Sequence, residues 1–88
     1  MARWDMGADH ASMAEAKPTA QDLFDLGIVC ASGGITPVDL VAAHKWFNLA
    51  ALSGIHEAAE YRREVAQEMT ADLIAEAQRA AREWLTTH

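Results

Sequence analysis

The chain has 88 residues, a single cysteine and a net charge of −6. That length allows one domain, Cys30 alone excludes an internal disulfide, and the acidic balance disfavours nucleic acid and anionic membranes as partners. Nineteen alanines stand against only seventeen Leu, Ile, Val and Phe, which predicts a helical protein with close helix contacts and a modest core.

So small a core is marginal without support, and with no disulfide the expected support is a partner chain, with a homodimer as one form of it. No apolar run approaches the length of a membrane span, and the first residues lack the apolar stretch of a secretory signal. A cytoplasmic location is the expectation.

Residues 1–18 carry Gly7, Ser12, Pro18 and scattered charges without a lasting period, as in a mobile tail. The rival reading is a short helix that docks through Trp4, Met6 or Met13. The remainder, 19–88, reads as one domain of four helices.

Thr19 is the expected N-cap of the first helix, which runs to about Ser32. Its inward stripe is Leu23, Leu26, Gly27, Cys30 and Ala31, and Gly33-Gly34 ends it. Thr36 as cap, Pro37 at the first helical position and Asp39 in the first turn open the second helix, which stops at Gly54. Leu40, Ala43, Phe47, Ala50 and Ala51 form one apolar face of it, and Val38, Val41, Leu49 and Leu52 much of another. The polar stripe, chiefly His44, Lys45 and Asn48, is narrow, so this helix should sit at the centre.

The third helix is expected from about His56 to Glu68, with Ala58, Tyr61, Val65 and Met69 on one face. Thr70 and Asp72 open the fourth, whose inner stripe is Ile74, Ala77, Ala81 and Trp84. With no alternating strand pattern and connections of a few residues, neighbouring helices should be antiparallel. The prediction is an all-α fold of two antiparallel helical hairpins stacked as a short α-α superhelix.

The catalytic and ligand-binding signals are weak. His10, His44, His56, His88 and Cys30 have neither HExxH nor CxxC spacing, so no metal site is expected. Cys30 on an inward stripe is a small apolar filler rather than a nucleophile. Glu57, Glu60, Glu64 and Glu68 include a row at spacing four, as on a solvated helix face. Gly33-Gly34 lacks the lysine and the strand of a phosphate loop. Arg62, Arg63, Arg79 and Arg82 are interleaved with seven acids over residues 56–88, which does not make a nucleic-acid patch. No cofactor is expected, and an alanine-rich bundle leaves little room for an enzyme pocket.

Leu26-Gly27, Gly33, Asp39, Ala43, Trp46-Phe47, Ala50-Ala51, Gly54 and Ala58 together resemble the Sel-one-like repeat, a relative of the tetratricopeptide repeat. The string AHKWFNLAA is the most specific part. Cys30 stands at a usual aromatic position and Ile35 at a usual glycine, and the third helix lacks the Leu-Gly pair. The resemblance implies one full repeat over about 20–56 and a divergent capping hairpin over about 57–88. It also implies a non-catalytic adaptor that gathers protein partners. In such repeats the first helices line the binding surface, which directs attention to Phe24, Asp25 and Ile28. These side chains are expected to meet a partner, a second copy, the tail or the fourth helix. Trp84 is expected either to cover the last hairpin or to form a contact between chains. The alternative function is a small acidic inhibitor or decoy that occupies a basic groove on a partner enzyme.

Overall fold

Thr19 opens the first helix with a reciprocal cap. Its hydroxyl accepts from the Asp22 backbone N–H at 3.1 Å, and the Asp22 carboxylate accepts from the Thr19 N–H at 2.9 Å. Two of the four backbone donors that a helix start leaves unpaired are thereby satisfied. The computed structural model describes residues 17–34 and 36–88. Expectations that concern the chain up to residue 16 (Trp4, Met6, His10 and Met13 among them) and Ile35 lie outside the described residues.

Four helices follow in order: α1 (Ala20–Ser32), α2 (Leu40–Leu52), α3 (Ala58–Ala66) and α4 (Ala71–Thr87). Gly33 caps α1 with φ 69°, a left-handed conformation that a side chain disfavours. A Cβ there would also lie 2.6 Å from Val38 Cγ2. The Asp39 N–H then donates to the Cys30 carbonyl at 2.9 Å, closing the connection.

The start of α2 departs from the predicted one. Asp39, rather than Thr36, is the N-cap, its carboxylate accepting from the Ala42 N–H at 3.0 Å. A carboxylate at that position satisfies an orphan donor and meets the positive end of the helix dipole. Thr36 and Pro37 belong to the approach. At α3 the helix is also shorter than expected: no side chain caps it, and turns at residues 53–54, 56–57 and 67–68 flank its nine residues. Thr70 caps α4 as predicted, accepting from the Leu73 N–H at 3.2 Å.

The helix α2 is central, as its apolar breadth predicts. The other three pack chiefly on it rather than on each other. Gly27 of α1 meets Phe47 of α2, while the end of α1 is joined to the start of α2, so this pair is antiparallel. Phe47 and Asn48 meet Tyr61 and Arg62 of α3, and Leu40 lines one groove with Val65 and Glu68, so α3 runs against α2. Val41 shares a depression with Leu73, and Trp46 touches Trp84, so α4 runs along α2. The fold is therefore all-α, with successive helices antiparallel and α2 between the other elements.

The buried core comprises Leu23, Ala43, Phe47, Leu49, Ala50, Ala58, Val65, Ala77 and Ala81. Five of these nine are alanines, so helix axes approach closely and few large side chains supply the apolar burial. Phe47 and Leu49 are the largest fully buried ones, each worth roughly 1.5–3 kcal/mol.

Candidate functional site

The close approach of α1 to α2 brings three aromatic rings together at the α1–α2–α3 junction. Phe24 and Phe47 have centroids 5.7 Å apart, Phe24 meets Tyr61 edge-on at 5.1 Å, and Phe47 and Tyr61 lie 5.4 Å apart. Such tilted and T-shaped contacts suit the aromatic quadrupole. Phe24 and Ile28, expected to face a partner or to be covered by the tail or the fourth helix, are half-buried against the core cluster. For Phe24 the covering residue is Tyr61 of α3. Asp25 is exposed and accepts a hydrogen bond from Gln21 Nε2 at 2.9 Å.

A second aromatic contact joins α2 to α4. Trp46 and Trp84 meet edge to face at 6.0 Å, and His88 stacks on Trp84 at 4.5 Å with ring planes 5° apart. Lys45 Nζ lies 4.0 Å from the centroid of the Trp46 ring. Trp84 is half-buried. Within the chain it packs on Trp46 of α2 and on His88, and no aromatic contact joins it to Phe24.

The motif residues separate into buried and exposed sets. Gly27, Ala43, Phe47, Ala50 and Ala58 are buried, and Trp46 and Ala51 half-buried. Asp39 caps a helix, and Gly33 and Gly54 take positive φ at turns. Leu26 departs from its predicted inward stripe: it is 40% exposed, whereas Leu23 is 2% exposed. The core of α1 faces α2 and α3, which draws in Phe24 and Ile28 and leaves Leu26 and Val29 outside. Val38 and Leu52 are likewise exposed and contribute little to a second apolar face.

His44 also differs from its expected solvated position. It is 3% exposed, and Nδ1 is buried without a hydrogen-bond partner. Burial lowers its pKa from the usual value, and the Arg62 guanidinium lowers it further. Arg62 itself donates through Nη1 to Asn48 Oδ1. For Cys30, partial burial raises the thiol pKa and the Asp39 carboxylate adds to that, against a smaller opposing effect of Lys45. Both leading causes disfavour the thiolate a nucleophile requires. Among the described residues no three of His, Cys, Asp and Glu gather in a way that could hold a metal ion, and no helix is long and apolar enough to cross a membrane.

One concavity opens between the second half of α1, the start of α2 and α3. It has a volume of about 350 Å³ and a floor of Ile28, Leu40, Phe47 and Val65. Tyr61, Glu64 and Glu68 stand along its α3 side. Sequence reasoning treated these glutamates as a solvated row. The signal that could have found the groove was their spacing beside Tyr61 and Val65, which puts acids on the border of an apolar stripe.

No protein-family model matches this chain, and no curated protein or solved structure matches it.

Proposed function

We propose that the chain is a small, non-catalytic protein–protein interaction module of the Sel-one-like repeat type. The observation that carries this reading is the Gly27–Phe47 contact, in which a Leu-Gly residue of one helix receives the aromatic residue of the next with no room for a Cβ. The Trp of the same Trp-Phe pair turns the other way, to Trp84 of α4, so neighbouring residues bond two separate interfaces, as a repeat unit requires. Exposed Leu26 and Val29 and the groove beside Tyr61 supply apolar surface for a partner.

The test is native purification of the full chain, identification of any stoichiometric protein partner, and titration of that purified partner against the chain. The expected result is saturable binding that Leu26→Ser with Val29→Ser, or substitution at the groove, weakens about tenfold. A chain that purifies with no stoichiometric partner would overturn the reading.

A further inference from the structure

We infer that the groove between α1, α2 and α3 binds a basic amphipathic peptide, one apolar side chain entering the groove with Lys or Arg residues beside it. The inference rests on the interaction-module reading and names the chemistry of the partner.

Two features of the groove select this occupant. Its floor is apolar and contributed by three different helices, so its shape is set by the packing of the core rather than by a loop. Its volume of about 350 Å³ is at the small end of ligand sites, suited to an anchoring side chain and too small for a large cofactor. Among the described residues that line it, the charged ones are Glu64 and Glu68. They are four apart on one edge and both exposed, so they are aligned along the rim and available to cations. Glu60 lies one turn before Glu64 on the same face of α3, whereas Arg62 is turned to Asn48 of α2 and Arg63 stands outside the groove lining. A partner that brings an apolar group into this floor therefore meets carboxylates as it docks, and Lys or Arg beside the anchor turns that encounter favourable. A second copy of a chain with net charge −6 brings the wrong sign.

The experiment pans a random peptide library against the full chain. The consensus peptide is then titrated by fluorescence anisotropy against the native protein, Glu64→Gln/Glu68→Gln and Glu64→Lys/Glu68→Lys. The expected consensus has one aromatic or branched aliphatic residue flanked by Lys or Arg. The glutamine pair should weaken binding about fivefold and the lysine pair more. Both glutamates are exposed, so circular dichroism should show the helices unchanged. Raising salt from about 0.05 M to about 0.5 M should weaken binding to the native chain by a similar factor and leave a residual affinity from the anchor.

Peptides without basic residues, or binding indifferent to both double variants, would overturn the inference. Complete loss at high salt would do so too, because it denies the apolar anchor. Tenfold tighter peptide binding on Trp4→Ala would assign the groove to the chain's own N-terminal segment, and a dimer that the peptide dissociates would assign it to a second copy. Either result overturns the proposal. Peptides whose hydrogen-exchange footprint lies elsewhere would overturn the groove while sparing the interaction module. Failure to select any peptide, joined to the lack of a stoichiometric partner, would remove both.

Discussion

Gly27 lies against the ring of Phe47 so closely that a Cβ at residue 27 would stand 2.5 Å from two ring carbons. Phe47 is fully buried between this contact and Tyr61, so the ring has no free direction in which to yield. Alanine at 27 would gain up to about 1 kcal/mol of helix propensity. Overpacking of a filled core costs roughly 1–3 kcal/mol, and the second effect wins. Gly27→Ala is expected to lower the melting temperature by several degrees, at about 4–8 °C per kcal/mol for a domain of this size. Gly34→Ala provides the control: nothing lies within 4 Å of its Cβ, and its melting point should match or exceed that of the parent.

The two leucines of α1 offer a sharper contrast. Leu23 is packed in the core and Leu26 is 40% exposed. Leu23→Ala should cost about 2–4 kcal/mol, a large part of a small domain's stability. Leu26→Ser should cost about 1 kcal/mol, well below the Leu23 loss. Urea titration of both variants checks the pair, and equal losses would place Leu26 in the core.

The joint between α2 and α4 depends on Trp46 and Trp84. Removing a half-buried indole forfeits its packing and the edge-to-face contact. Trp84→Ala is expected to lower the urea midpoint by the equivalent of about 2 kcal/mol, and Trp84→Phe to recover most of that. In a Trp4→Phe background, tryptophan fluorescence of Trp84→Ala would report the transition from Trp46 alone.

His44 makes stability depend on pH. Its neutral form is favoured in the folded state, first by burial and then by Arg62, so its folded pKa lies below the ordinary 6.5 of the unfolded chain. Above that value neither state binds the proton and His44 adds no slope. As pH falls below about 6.5 the unfolded chain takes up a proton that the folded chain refuses. Stability then declines, by at most about 1.4 kcal/mol per pH unit for one proton, until the folded pKa is reached. The groups that act on His44 make acid doubly unfavourable, since a protonated ring would bury an unpaired Nδ1–H beside a guanidinium. Urea midpoints measured from pH 7.5 to pH 5 should fall for the parent, and His44→Leu should remove much of that fall. A parent midpoint constant over this range would contradict the buried position of the ring.

The features legible in the sequence were local ones. Thr19 and Thr70 were recognisable because an N-cap acts on backbone three residues away, and Gly33 because a left-handed cap is a property of one residue. The central place of α2 was legible because its apolar positions run around most of the helix. Asp39 was misplaced because Thr-Pro is itself a strong helix-start signal, and the carboxylate two residues after the proline competes with it. His44, Leu26 and Phe24 needed knowledge of a third element. A helical wheel shows which residues share a face, while α3 decides that the Phe24 side is covered and the Leu26 side is not. The groove was legible only at its rim, where Glu64 and Glu68 border Tyr61 and Val65, because its floor comes from three helices.

The packing of α1, α3 and α4 chiefly on α2 rather than on one another has a dynamic consequence. Each outer helix is held by its own contacts with the centre, so one can detach while the other two remain in place, at a free energy below that of complete unfolding. The amide protons of α2 are protected by all three neighbours and should exchange with solvent only when the whole domain opens. Those of the outer helices should exchange sooner, through separate partial openings.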